Sequence, residues 1–246
     1  MSNPTGCGSS KEHNGKTLLS FDLTTVCPKL ARGDACVYCY VKTGRDTGIR
    51  AKAVKEYAPY AGHRWPLTLT CAMKGRLSAM GGIRMFGSSD YSARHRKDVD
   101  QFLADCLIAG LKAKAITKQE LFLIHHHDHE ALAVINVSID RLGPEWGSRR
   151  SQIGERKARA LKEQYHKAKI RAVCLSPEDV EYYGSKPEID ILTLNHGRNG
   201  FHWFSHEEVR QATERWPGRV CGEDRVCDQC RVRCGIVPDF PAQAPG

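Results

Sequence analysis

Three cysteines lie close together in one short segment of the chain, Cys27, Cys36 and Cys39, with the spacing C-x8-C-x2-C. Thiolates clustered in this way are typical of a metal centre, because thiolate sulfur binds zinc and iron–sulfur clusters well. For zinc, the fourth ligand would be His63 or Cys71, and the spacing selects neither. A set of only three leaves one coordination position open, and an open position is typical of a reactive centre.

A second group of cysteines lies near the C-terminus and consists of Cys221, Cys227, Cys230 and Cys234. Four thiolates complete the tetrahedral shell of zinc, and four also hold a [4Fe–4S] cluster. The spacing is compatible with both, so the metal stays open. In both cases the protein would fill every coordination position. We therefore expect a structural role for the site, or electron transfer if it holds an iron–sulfur cluster.

Composition narrows the class of protein. The chain has 246 residues, 11 cysteines and a formal net charge of +9. Its first residues lack the apolar core of a secretory signal, and no run approaches the roughly 18 apolar residues that span a bilayer. We therefore expect a cytoplasmic protein without membrane contact, where reducing conditions favour metal ligands over disulfides. The positive charge favours an anionic substrate or nucleic acid, although the basic stretch 149–169 also suits a solvated helix.

Short strand-like runs alternate with helix-like runs along the middle of the chain. Strands are predicted over 17–23, 82–87, 112–117, 132–138, 169–175 and 189–194. Helices are predicted over 94–110, 150–168 and 205–215, the last opening with a capping box from Ser205 to Glu208. This alternation predicts an α/β fold with a parallel sheet, and six such units suit a partial (βα)6 TIM-like barrel or a doubly wound sheet.

The predicted organisation has three parts. A flexible tail is expected over 1–16, the partial barrel over 17–215, and a short cysteine-rich module with a loose tail over 216–246. Because the carboxyl ends of parallel strands meet at one edge, where α/β enzymes form their sites, polar residues following the strands become candidates. These candidates are Gly87, Ser88, Ser89, Asp90, Lys118, Ser138, Asp140 and His196.

A three-cysteine loop after the first strand of a βα protein resembles the radical S-adenosylmethionine (SAM) superfamily, over roughly 17–200 in architecture. The resemblance implies that Cys27, Cys36 and Cys39 hold a [4Fe–4S] cluster whose remaining iron binds SAM. It implies further SAM contacts at Tyr38 beside the adenine, at the Gly87-Ser88-Ser89-Asp90 turn beside the methionine amino group, and at Ser138 and Asp140 beside the ribose or carboxylate. Lys118 is a candidate for an anionic group of SAM or substrate, and His196 for the adenine or substrate.

The resemblance implies an enzyme that cleaves SAM reductively and uses the resulting 5′-deoxyadenosyl radical to take hydrogen from an unidentified substrate. Flavodoxin or ferredoxin would supply the electron, and the four C-terminal cysteines look like the second, auxiliary [4Fe–4S] cluster of some members. The chain also looks like a set of phage and bacterial radical-SAM-like proteins. The alternative from the residues alone is a non-enzymatic module with two zinc sites that binds nucleic acid through its basic surface.

Other cysteines and histidines are predicted to be structural. Cys106 falls on the apolar face of a helix, and Cys174 at a strand end is expected to act as a small buried apolar residue. The histidine tract 125–129 is predicted as a helix end followed by a loop, without a specific metal.

Overall fold

The computed structural model describes residues 7–9, 19–21, 83–86, 90–141, 153–194 and 202–221. Its strands are β1 (Cys7–Ser9), β2 (Leu19–Phe21), β3 (Ile83–Met85), β4 (Ala113–Thr117), β5 (Leu132–Ile139), β6 (Ala168–Cys174), β7 (Ile191–Leu194) and β8 (Val220–Cys221). Its α-helices are α1 (Arg96–Ile108), α2 (Glu120–His126), α3 (Glu155–Gln164), α4 (Pro177–Gly184) and α5 (His206–Arg215).

The strands form one sheet in which the spatial order is the order along the chain, β1 to β8. β1 pairs antiparallel with β2, and every later neighbouring pair is parallel. The parallel part curls into a half barrel. Sequential order with helical crossovers is the arrangement of a TIM-like barrel, so the predicted α/β class with a parallel sheet is confirmed at that level.

All six predicted strands are present, as β2 to β7, with ends shifted by a few residues. Two further strands extend the sheet at its two ends. β1 lies within the segment predicted as an N-terminal tail, and β8 lies within the segment predicted as the cysteine-rich module.

The helices pack against one face of the sheet. On α1, Val99, Phe102 and Cys106 recur at helical spacing and are fully buried. They belong to the same apolar cluster as Ile135 and Val137, which alternate along β5. This face of the sheet, called here the helix face, therefore carries the main hydrophobic core, and burial of its aliphatic and aromatic side chains is the chief force holding the sheet and helices together.

Local signals explain where two of the helices begin. The Ser205 hydroxyl accepts a hydrogen bond from the Glu208 backbone N–H at 3.2 Å, and the Glu208 carboxylate accepts one from the Ser205 N–H at 2.8 Å. The predicted capping box of α5 is thus confirmed. Ser176 caps α4 by accepting from the Asp179 N–H, with Pro177 in the first turn.

Two of the described helices, α2 and α4, are only 7 and 8 residues long. None of the helices in the described ranges is long and apolar enough to cross a membrane.

Candidate functional site

The register of the parallel strands defines a second face, opposite the helices, which is called here the inner face. Side chains alternate across a strand, and paired residues of neighbouring strands point to the same side. The inner face consists of Lys114, Ile116, Val134, Asn136, Ser138, Lys169, Arg171, Val173, Ile191, Thr193 and Cys221. In a half barrel this is the concave side, and it is distinctly more polar than the helix face.

Lys118 and Asp140 form a buried ion pair at the carboxyl edge of the sheet. Lys118 follows β4 and Asp140 follows β5, and the ammonium group donates to the Asp140 carboxylate. The Asp140 side chain has no exposed surface, and that of Lys118 is 9% exposed. An unpaired charge at such depth would be costly, so the contact with the other group is needed to keep each side chain in this buried position. The structure therefore brings together two of the predicted site residues.

Asp90 lies at the same edge and binds the start of the β4–α2 connection. Its carboxylate accepts hydrogen bonds from the Thr117 hydroxyl, from the Lys118 backbone N–H at 2.9 Å and from the Tyr91 N–H at 2.7 Å. A buried carboxylate that accepts from several donors is fixed in place. Asp90 thus ties the segment after β3 to the end of β4, next to the Lys118–Asp140 pair.

The backbone has an unusual conformation at the residue that follows β3. Phe86, directly after β3, has φ of 60°, in the left-handed region that a non-glycine residue rarely adopts. Its ring contacts Phe122 edge-to-face with centroids 5.3 Å apart, which holds the residue in this conformation. Strained backbone of this kind is common at functional sites, and Phe86 directly precedes the predicted glycine–serine turn in the sequence.

Ser138 and Arg171 are direct neighbours on β5 and β6 of the inner face. The Ser138 hydroxyl is buried and has no hydrogen-bond partner. The Arg171 Nε donates to the Thr193 hydroxyl at 2.8 Å, and this bond holds the guanidinium along the inner face. Lys118 follows Thr117, which pairs with Val137, the residue before Ser138.

Cys221 ends β8 and is half-buried, paired in register with Thr193 of β7. The first member of the C-terminal cysteine group is therefore part of the sheet and lies on the inner face. Within the described ranges, no cluster of three or more histidine, cysteine or acidic side chains is arranged to hold a metal.

The remaining predicted site residues lie outside the described ranges. They are Cys27, Cys36, Tyr38, Cys39, Gly87, Ser88, Ser89, His196, Cys227, Cys230 and Cys234. Of the described site residues, Asp90, Lys118, Ser138 and Asp140 share the carboxyl edge of β4 and β5, as the strand-end argument predicts.

The basic residues of the inner face were missed as candidates, although the sequence carries a signal for them. In β4 and β6, Lys114, Lys169 and Arg171 alternate with small or aliphatic residues, as in Ala-Lys-Ala-Ile-Thr-Lys. Such alternation predicts a strand with one apolar and one charged face. The hydrophobic residues alone define the strands, and the prediction of site residues from strand ends does not include the charged residues within the strands.

The histidine tract lies at the end of α2, as predicted, and its members have distinct partners. The Tyr91 hydroxyl and the His125 Nδ1 are hydrogen-bonded at 2.7 Å. His126 is buried, its Nδ1 lies 3.1 Å from an Asp100 carboxylate oxygen, and burial lowers its pKa to about 4. His127 Nδ1 contacts the Leu123 carbonyl oxygen at 3.0 Å.

Cys106 and Cys174 are fully buried in the apolar cluster, as predicted. Burial raises the pKa of the Cys174 thiol, so it stays protonated and poorly nucleophilic. Nearby, burial raises the pKa of Asp179, while the Leu175 N–H donates to its carboxylate and Arg141 lies 3.6 Å from it. The described residues thus offer fixed charges and hydrogen-bond groups, which suit binding and orientation.

Comparison of the chain with protein-family models and with curated protein sequences finds no match.

Proposed function

We propose that the chain is a radical SAM-type iron–sulfur enzyme whose SAM site lies at the carboxyl edge of the parallel half barrel. One observation carries the proposal. β2 runs parallel to β3, so its carboxyl end, from which the chain continues toward Cys27, lies at the same edge as Asp90, Lys118 and Asp140. A three-thiolate segment leaving the first parallel strand at a polar edge is the arrangement that the resemblance implies.

The residues present fit the cofactors in chemical type. Cys27, Cys36 and Cys39 would hold the cluster, since three thiolates leave one iron for an amino acid chelate. When bound, the cluster and SAM would together supply one-electron cleavage to a carbon radical. Lys118 and Asp140 have a cation and a carboxylate, which suit the carboxylate and ribose hydroxyls of SAM, and Ser138 is expected to contact the same ligand.

The chain's own residues would orient and shield the reactants. Asp90 fixes the segment after β3, where Gly87, Ser88 and Ser89 are expected near the methionine amino group. The Lys118–Asp140 pair is held in a buried position and needs no reorganisation when a ligand binds. Substrate hydrogen would be taken at the mouth of the half barrel, where water must be excluded. Flavodoxin or ferredoxin is the proposed reductant in the cytoplasm.

The decisive experiment is anaerobic reconstitution with iron and sulfide, followed by dithionite reduction in the presence of SAM. The expected result is a brown protein that releases 5′-deoxyadenosine. Replacing Cys36 and Cys39 by alanine should remove one cluster and all cleavage. Cys106→Ala is the matched control, since this cysteine is buried on α1 and should leave cleavage intact. The proposal would be contradicted if the protein contained zinc and no sulfide, or if the variant without Cys36 and Cys39 still cleaved SAM.

The competing function is a two-zinc module that binds nucleic acid. It is favoured by the formal net charge of +9, which suits an anionic partner. It predicts a colourless protein with one zinc per cysteine group and an affinity for nucleic acid that falls steeply with salt. The second metal centre, with Cys221, Cys227, Cys230 and Cys234, is proposed as an auxiliary [4Fe–4S] cluster, and sulfide analysis distinguishes it from zinc.

A further inference from the structure

A groove lies between α4 and α5, on the side of the sheet that carries the helices. Its floor consists of Val180, Phe204 and Ala212, which are 5% to 7% exposed, and the half-buried indole ring of Trp216 lines it as well. Its volume is about 160 Å³. An engineered protein cavity of roughly 150 Å³ holds benzene. The groove therefore has room for one side chain of the size of a phenyl ring.

The rim of the groove carries charged side chains from both helices. Arg215 Nη1 on α5 donates to the Glu181 carboxylate on α4 at 2.7 Å. The Arg215 side chain is 63% exposed, and within the described ranges Glu181 is its only hydrogen-bond partner. Glu208, also at the rim, has its carboxylate oxygens occupied by Ser205 and His202. Arg215 therefore has N–H donors left for a second carboxylate beside the apolar floor.

The chain leaves β8 in the neighbourhood of this groove. β8 follows α5 and runs parallel to β7, so Cys221 lies at the carboxyl edge of the sheet, the edge at which α4 and α5 begin. Residues 222–246, called here the C-terminal segment, follow Cys221 and lie outside the described ranges. An extended chain covers up to about 3.5 Å per residue. α5, with 10 residues, is only about 15 Å long, so distance does not prevent the segment from reaching the groove.

One side chain of the C-terminal segment matches the groove in size and chemistry. Phe240 is the only aromatic residue of this segment, and its ring has the size of benzene. It follows Asp239, whose carboxylate complements Arg215, and Pro238 and Pro241 restrict the backbone on both sides. A restricted segment loses less conformational entropy when it binds, which favours docking.

We propose that the C-terminal segment docks on its own barrel, with the Phe240 ring in the groove between α4 and α5 and the Asp239 carboxylate on Arg215. Removal of the phenyl ring and of the groove floor from water supplies most of the stabilisation. The ion pair lies at the exposed rim and contributes orientation more than free energy. The contact would fasten the chain that follows the second cysteine group to the two helices. This inference goes beyond the proposed function and does not depend on it, because docking needs neither metal nor SAM.

Photo-crosslinking in the full chain tests where the segment lies. p-Benzoylphenylalanine is placed at position 242, shortly after Phe240, so that the phenyl ring itself is kept, and the irradiated protein is digested and analysed by mass spectrometry. We expect crosslinks within one chain to residues 177–181 or 208–216, and we expect Phe240→Ala to abolish them. Crosslinks to other parts of the chain, crosslinks between two chains, or the absence of any crosslink would overturn the proposal.

Thermal unfolding of the full chain measures the contribution of the ring. Phe240→Ala should lower the melting temperature by about 3 to 6 °C, because the groove and the ring return to water. Ala242→Ser is the matched control, since it alters a nearby residue of the same segment without removing a ring, and it should leave the melting temperature unchanged. An equal melting temperature in Phe240→Ala and the unaltered chain would overturn the docking of the ring.

A double-mutant cycle tests the pairing of Asp239 with Arg215. Asp239→Asn should lower the melting temperature by less than Phe240→Ala does, and this effect should disappear in an Arg215→Gln background, because the partner is gone. Arg210→Gln is the matched background, since Arg210 is exposed on the same helix and does not line the groove, and there Asp239→Asn should keep its effect. An effect of Asp239→Asn that persists in Arg215→Gln would overturn the pairing.

Discussion

At the scale of single residues, His126 makes the stability of the fold depend on pH. It is 1% exposed among the rings of Tyr91, Phe122 and His125, and burial lowers its pKa to about 4 although the Asp100 carboxylate opposes the shift. The unfolded chain binds this proton near pH 6.5, and the folded chain only near 4. The contribution of His126 to the free energy of unfolding is therefore fully present above pH 6.5 and is lost as the pH falls toward 4. This contribution amounts to about 3 kcal/mol.

The measurement is urea denaturation at a series of pH values between 4 and 7. In His126→Phe, which keeps a ring against Tyr91 and Phe122, the free energy of unfolding should depend less on pH in this interval. The charged and titratable groups near His126, which stay in place, are Asp100, His125, Arg96 and His129. His166→Phe, at an exposed position, should keep the original slope. An unchanged slope in His126→Phe would show that the tract is not buried as described.

Residue roles were only partly predictable. The strand-end position predicts that Asp90, Lys118 and Asp140 lie near one another, because polar residues after parallel strands converge at one edge, and the structure places them together, although their role in a site stays a prediction. The sequence could not show that Asp90 accepts hydrogen bonds from the Thr117 hydroxyl and the Lys118 backbone N–H, since these two bonds join parts of the chain 27 and 28 residues apart. Lys169 resembles a solvated lysine until the register places it on the inner face.

At the scale of elements, the contact between α4 and the end of α5 depends on Gly184. A β-carbon at this position would lie 2.2 Å from the Cε2 atom of Trp216. An alanine inside a helix ordinarily stabilises by up to about 1 kcal/mol relative to glycine. Here the added methyl group would clash with the indole ring of Trp216, so the substitution should destabilise the protein. Gly184→Ala should lower the free energy of unfolding by about 2 kcal/mol.

Chemical denaturation followed by circular dichroism measures this change. Gly154→Ala is the matched control, because a β-carbon at Gly154, before α3, would meet no atom within 4 Å. It should lower the free energy of unfolding by only about 0.5 to 1 kcal/mol, because Gly154 is the N-cap of α3 and alanine is a poorer N-cap than glycine. A neutral or stabilising Gly184→Ala would mean that Trp216 does not pack on α4.

Elements with strong periodicity were predictable, and short ones were not. β4, β5 and β6 have aliphatic residues bounded by turns, and α1 keeps its apolar spacing over more than three turns. β8 has only two residues and exists because β7 offers an edge to which it can pair. α2 and α4 are too short for a clear period, and the packing against the sheet decides them.

At the scale of the whole molecule, the sequential sheet places β2 and β8 six strands apart. In the sequence, the first cysteine group follows β2, and β8 ends in Cys221, the first residue of the second group. Neighbouring strands are about 4.8 Å apart across a sheet. Two separate metal centres, which the sequence predicts, are compatible with this order of strands and stay a prediction.

Cys221 belongs to β8, and this position in the sheet gives a test of the proposed second metal centre by metal removal. If Cys221 is a ligand, metal bound to it fastens the chain after β8 to the edge of the half barrel. Chelation should then lower the melting temperature of the full chain by about 5 °C or more, because binding to the folded state stabilises it.

In Cys221→Ser the melting temperature should already be lower, and chelation should change it less. Cys106→Ala, with its sulfur removed from the core, should keep the full response to chelation. Since any metal at Cys27, Cys36 and Cys39 is lost from all three proteins alike, an equal response in Cys221→Ser would exclude Cys221 as a ligand.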